Sequence, residues 1–216
     1  MTAKRKKVVR TEMKRILAHL DQRWVGPASN EIATNIMALI QQLPFEVEHI
    51  LTWSSFFQGE VNLARFIEQS VGSYNIYLPR VLDDASMRFI SVGQNWHEQV
   101  SPGFYGLLEP SENGGNLYLS EWAGSTVVLV PGLAFSERGD RLGRGKGCYD
   151  RFFARPGMAV AIKVGVCFAI QLTDDIPTES HDTMMDWVCT EEGALPAITQ
   201  DEWSSIPASS TRQRKV

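Results

Sequence analysis

The stretch Thr126-Val-Val-Leu-Val-Pro131-Gly-Leu-Ala-Phe135-Ser-Glu-Arg-Gly139-Asp-Arg141-Leu-Gly143-Arg-Gly145-Lys146-Gly147-Cys-Tyr149-Asp150-Arg-Phe-Phe153 decides how the rest of this chain is arranged. Thr126 to Val130 is a short apolar run, read as a buried strand, and Pro131-Gly132 stops it. A loop then carries Gly139, Gly143, Gly145 and Gly147, with Arg141, Arg144 and Lys146 set between them. Tyr149 to Phe153 reads as the opening of a helix. Strand, glycine-rich loop and helix start form an arrangement that holds phosphate. Glycine lets the backbone approach an anion and turn its N–H groups inward, the helix N-terminus adds partial positive charge, and the cations neutralise the rest. The alternative is a surface turn; three cations between the glycines and an acid after them favour the anion site. This is not a Walker A loop. Asp140 stands where that pattern needs its first glycine, and Gly147 where it needs Ser or Thr.

Composition narrows the setting. A chain of 216 residues, 44% hydrophobic and 21% charged, is long and apolar enough for one ordinary soluble domain with a real core. A formal net charge of −4 argues against a dedicated nucleic-acid binder. No apolar run approaches the roughly 20 residues that cross a bilayer, and the basic N-terminus lacks the apolar core of a secretory signal. Cys148, Cys167 and Cys189 are odd in number and without metal-ligand spacing, which reads as reduced thiols in the cytoplasm.

Outward from the central stretch, residues 4–20 form a helix. Val9, Met13, Ile16, Leu17 and Leu20 share one face, beside a cationic stripe of Lys6, Arg10 and Lys14. Such a stripe is either a solvated or nucleic-acid-binding arm or part of an anion site. Pro27-Ala-Ser29 introduces a second helix that Pro44 ends. His49 to Trp53 is a strand, Glu60 opens a third helix, and Gly72 caps it. Tyr74 to Arg80 and Met87 to Ile90 are strands, residues 91–125 are the least regular segment, and Asn113 to Ser125 is loop. Ala159 to Phe168 is β-branched enough for a central strand. The domain is expected to span 1–191, with 192–216 a frayed tail. Strands alternating with helices imply a single-domain, Rossmann-like α/β layered fold with a largely parallel sheet flanked by helices. Its ligands belong at the carboxyl ends of strands, where the loops after Trp53 and Val130 open.

Val130-Pro-Gly-Leu-Ala-Phe135, followed by Gly139-x-Arg-Leu-Gly-Arg-Gly-Lys-Gly-x-Tyr-Asp150, closely resembles the signature of the 5-formyltetrahydrofolate cyclo-ligase family, also called methenyltetrahydrofolate synthetases. Weaker similarity extends over residues 4–191, including Lys6-x-x-x-Arg10, Glu60, and Gly103 to Pro110. The resemblance implies ATP- and Mg²⁺-dependent closure of 5-formyltetrahydrofolate to 5,10-methenyltetrahydrofolate through a phosphorylated formyl intermediate, with ADP and phosphate released. It implies ATP held by Lys6, Arg10, Gly139, Arg141, Leu142, Gly143, Arg144, Gly145, Lys146, Gly147, Cys148 and Tyr149. The reduced folate is assigned to Trp53, Ser55, Glu60, Phe104, Tyr105 and the loop from Arg144 to Cys148, and Mg²⁺ to Asp150 and Asp182. Arg141, Arg144, Lys146 and Tyr149 are the expected catalytic group. The partner is the folate alone: a monomer, without nucleic acid or membrane.

The residues by themselves leave alternatives open. Glu60 equally suits a helix N-terminal acid, Phe104 and Tyr105 suit core packing, and a loop aspartate such as Asp182 is usually a turn residue. A diverged phosphate-binding α/β protein without cyclo-ligase activity has the same layout, and the basic arm also suits nucleic acid. Three positions depart from the family pattern: Cys148 for a tyrosine, Thr126 for an aspartate, and Trp53 for the more usual Tyr or Phe.

Overall fold

The structure, a computed structural model, describes residues 2–54, 57–82, 84–103 and 107–197. In chain order its elements are α1 (Thr2–Ala18), α2 (Gln22–Gln42), β1 (His49–Leu51), α3 (Ala64–Ser70), β2 (Asn75–Val81) and β3 (Met87–Val92). The short hairpin β4 (Val100–Pro102) and β5 (Leu108–Pro110) follows, then β6 (Thr126–Pro131), the ribbon β7 (Ala134–Phe135) and β8 (Arg141–Leu142), and α4 (Cys148–Phe153). The chain returns to the sheet in β9 (Ile162–Val166), β10 (Trp187–Thr190) and β11 (Gly193–Pro196).

Seven strands form one sheet in the order β11-β10-β9-β6-β1-β2-β3. The five inner strands are mutually parallel, and β11 and β3 run antiparallel at its borders. Both faces are covered, which is why β6 reads as an unbroken apolar run rather than an alternating one. Side chains still alternate between two cores. Ile50, Val127, Leu129, Val164 and Val166 pack with α2 and α3, whereas Leu51, Val128 and Val130 pack with Phe152 and Phe153 of α4. Burying a side chain of this size stabilises by about 1.5–3 kcal/mol, so β6, with four core side chains at 0% exposure, anchors the fold.

The outcome is the expected α/β fold. The connection order reverses between β1 and β6, so the loops after these two neighbours diverge and open a crevice at their carboxyl ends. Helix α1 lies on neither sheet face. Its Met13 and Leu17 pack with Leu133, Ala134 and Leu142 of the ribbon and with Ile176.

Several boundaries differ from the sequence reading. Helix α2 starts at Gln22, not at Pro27, because the Asp21 side chain accepts the Arg23 N–H and caps it earlier; Pro27 sits inside the helix. Helix α3 starts at Ala64, whose N–H is taken by the Asn62 side chain. Glu60 therefore precedes the helix instead of opening it. Residues 113–125 are not all loop. Asn116 to Tyr118 pair along the outer edge of β3, and Ser120–Ser125 is a 3-10 helix. The central strand is shorter than 159–168, since Met158–Val160 is a 3-10 turn. The expected tail from 192 onward begins with a sheet strand, β11. No helix among the described residues is long and apolar enough to cross a membrane.

Candidate active site

The crevice between β1 and β6 is built from four segments: the turn after β1, the ribbon and glycine loop after β6, the segment 179–185 before β10, and α1 lying across them. The ribbon comes first. Gly139 turns it with φ +86°, a conformation glycine adopts freely, and a Cβ there would strike the Met185 carbonyl. The Met185 N–H in turn donates to the Gly139 carbonyl at 2.8 Å, tying the ribbon to segment 179–185. Ser136 and Arg138 brace the turn through the Asp140 carboxylate at 2.6 and 3.2 Å.

Helix α1 turns two cations of its stripe inward and leaves Lys14 exposed. Arg10 Nε donates to the Gly143 carbonyl at 2.9 Å, and the Arg10 guanidinium fills the space beside Gly145, which has φ +97°. A side chain at 145 would press on that guanidinium. Lys6 is only 6% exposed. Its Nζ donates to Asp182 Oδ2 at 2.6 Å and Glu179 Oε2 at 2.8 Å. Burial works to lower the Lys6 pKa, but the two carboxylate contacts outweigh it and the net shift is upward. For Asp182 burial works upward, and hydrogen bonds from Lys6 and from the Glu179 N–H hold the carboxyl below its usual range. Lys6 is thus withdrawn from the surface a nucleic-acid arm requires.

Segment 179–185 also reaches the helix start. The Thr183 N–H donates to Asp150 Oδ1 at 3.4 Å, and Arg141 Nη2 donates to the same oxygen at 3.0 Å. Arg141 stands 5.5 Å from the Tyr149 ring centre. On the opposite wall Arg144 pairs with Glu60 at 3.6 Å and lies 3.6 Å over the Phe57 ring centre. Burial, opposed by Glu60, lowers the Arg144 pKa. Burial likewise raises those of Tyr149 and Cys148.

Of the sequence-predicted residues, Lys6, Arg10, Glu60, Arg141, Gly143, Arg144, Asp150 and Asp182 are linked by these contacts. Gly145 and Lys146 are exposed on the loop crest, and Gly147 and Cys148 begin α4. Leu142 is a core residue of the ribbon, 1% exposed, and its carbonyl accepts the Leu133 N–H. Trp53 does not line the crevice as an open wall; it is 5% exposed and packs in the core under α2. Ser55, Phe104 and Tyr105 lie outside the described residues. Sequence reasoning missed Glu179 as the second partner of Lys6 and Phe57 beneath Arg144. No spacing signals a partner 173 positions away. Among the described residues, the buried polar atoms without a hydrogen-bond partner include Tyr149 Oη, Arg141 Nε and Trp53 Nε1. Orphaned donors are costly in a folded chain, and the first two stand at the crevice, where a ligand would satisfy them.

Fold and site together define a doubly wound α/β protein whose switch-point crevice is lined by paired cations and carboxylates. Residues 2–191 match the 5-formyltetrahydrofolate cyclo-ligase family, and the chain belongs to that family, which places it among enzymes as a ligase. It is 26% identical over 211 residues to a 5-formyltetrahydrofolate cyclo-ligase of Saccharomyces cerevisiae, covering 88% of this chain and 97% of that one. It is 27% identical over 184 residues to the Haemophilus influenzae protein of the same name, covering 84% and 95%. The fold is similar to the solved 5,10-methenyltetrahydrofolate synthetase of Aquifex aeolicus, with TM-score 0.72, 25% identity, and 89% and 92% of the two chains covered.

Proposed function

We propose that this chain uses ATP and Mg²⁺ to convert 5-formyltetrahydrofolate into 5,10-methenyltetrahydrofolate, releasing ADP and phosphate. The observation that carries the reading is the docking of α1 on the glycine loop. It brings Lys6, Arg10, Arg141 and Arg144 to one crevice, each held by a carboxylate or carbonyl that an incoming anion can replace. Phosphoryl transfer asks a protein chiefly for positioning and for positive charge around the moving group. The formyl oxygen on N5 takes the γ-phosphoryl group, which converts a poor leaving group into phosphate. N10 then attacks the formyl carbon and gives up its proton, and phosphate departs as the ring closes. Arg141, Arg144, Lys146 and Tyr149 bind and orient the phosphates, and Glu60 accepts N–H groups of the pterin.

Asp150 and Asp182 would hold the Mg²⁺ ion. Both are hard oxygen donors with side chains 24% and 19% exposed, on segments joined by the Thr183 N–H. Magnesium takes one or two carboxylates and completes its shell with phosphate oxygens and water. When bound, the ion neutralises phosphate charge. Free thiols at Cys148, Cys167 and Cys189 suit a reducing cytoplasm, and the protein acts there as a monomer. Purified protein given ATP, Mg²⁺ and 5-formyltetrahydrofolate is expected to generate the absorbance of the methenyl product. Bound nucleotide without that product would favour a diverged phosphate-binding protein.

A further inference from the structure

Phe57 and Glu60 stand on one closed turn after β1. The Glu60 N–H donates to the Phe57 carbonyl at 3.1 Å, and the Glu60 carboxylate accepts the Phe57 N–H at 3.5 Å. Both side chains of that turn meet Arg144, the one across its ring face and the other through Nη2. The Gly143 carbonyl, just before Arg144, accepts from Arg10 Nε, and the Arg10 guanidinium occupies the space that a side chain at position 145 would need. A move of Arg144 off Glu60 would need only rotation of its own side chain, with Gly143 held in place. The Glu60 side chain, 13% exposed, has the Arg144 guanidinium against it, and the two line a narrow recess with Leu17, Pro131, Gly132, Val166 and Gln171.

We propose that Phe57 is a positioning residue that holds Arg144 over Glu60 in the nucleotide-free protein, so that nucleotide binding uncovers the folate site. The proposal rests on the cyclo-ligase reading. A single carboxylate at 3.6 Å competes for Arg144 with a polyanion on the same loop. Coulomb attraction scales with the charge offered, so a triphosphate on the amides around Gly145 draws the guanidinium away. The ring contact adds a desolvated cation–π attraction to the resting position only. The Glu60 carboxylate, still accepting the Phe57 N–H, is then open on its Arg144 side to pterin N–H groups. Because linkage is reciprocal, bound folate tightens nucleotide by the same factor.

The test measures 5-formyltetrahydrofolate affinity by calorimetry with and without the Mg²⁺ complex of a non-hydrolysable β,γ-imido ATP. It uses the full-length wild-type chain and the Phe57→Leu and Phe57→Tyr variants. The wild type is expected to bind folate about 5- to 150-fold more tightly with nucleotide, the range of ordinary coupling between sites. Phe57→Leu is expected to tighten nucleotide-free folate binding by about 3- to 30-fold, the scale of one cation–π contact, and so to shrink the coupling. Phe57→Tyr, which keeps a ring face, is expected to restore it. Equal folate affinity with and without nucleotide in the wild type, or full coupling in Phe57→Leu, overturns the gate while leaving the cyclo-ligase reading intact. Absence of folate binding under both conditions overturns both.

Discussion

Replacing Lys6 by Met tests how α1 is held over the crevice. The substitution keeps the length and apolar bulk of the side chain and removes its ammonium. It deletes the hydrogen bonds to Asp182 at 2.6 Å and Glu179 at 2.8 Å. A charge-assisted hydrogen bond contributes about 1.5–3 kcal/mol net, and breaking a fully buried pair costs more. Asp182 is 19% exposed and rehydrates partly when its partner is lost, so the lower part of that range applies, about 2 kcal/mol. Glu179 faces solvent and orients the ammonium without a separate energetic share. In a protein of this size that loss lowers the midpoint of thermal unfolding by about 4–8 °C. The pH dependence has a definite sign. The depressed Asp182 pKa gives stability that is complete above its ordinary value of 3.8 and disappears as pH falls through the lower folded value. The raised Lys6 pKa gives stability that is complete below 10.5 and disappears as pH rises past its higher folded value. Circular dichroism melts and urea titrations of ligand-free wild type and Lys6→Met should therefore differ most on the plateau between these limits and converge in acid. A midpoint difference under about 1 °C at pH 7, or one that persists unchanged well below the carboxylate range, refutes the assignment.

Three further outcomes are expected. Arg10→Ala should weaken ATP binding about 10- to 100-fold, the cost of one charged hydrogen-bond donor, as read by calorimetry; unchanged affinity gives the helix another role. Asp150→Asn should lower turnover and raise the Mg²⁺ concentration needed for half-maximal rate, and an unaltered Mg²⁺ titration removes Asp150 from the metal site. Gly139→Ala places a methyl group against the Met185 carbonyl at a φ of +86° and should destabilise the ligand-free protein by about 1–3 kcal/mol in urea unfolding, whereas an unchanged midpoint shows the ribbon turn to be adaptable.

What the sequence made legible follows its own periodicities. Strand β6 was readable because burial on both faces leaves a continuous apolar run between Thr126 and Pro131. The opening of the crevice after β1 and β6 was readable because alternating strands and helices leave few topologies. Local signals misled where two competed. Pro27 fits a first-turn position, yet the Asp21 side chain had already begun the helix. Glu60 fits an N-terminal acid, yet Asn62 supplies the start of α3 and the Glu60 carboxylate turns to Arg144. The inward turn of Lys6 was not legible, since a cationic stripe looks alike whether water or distant acids face it. Its partners, Glu179 and Asp182, arrive only when the chain folds back. Strand β11 is four residues long and gains its place from pairing with β10, a contact that no local pattern announces.

The seat of α1 on the ribbon, apart from both sheet cores, makes one wall of the crevice detachable. Its hold consists of one small apolar cluster and a few polar ties, so the helix can lift while the seven strands remain paired. Amide hydrogen exchange under native conditions should then be faster along α1 than in the inner strands, and Lys6→Met should widen that difference.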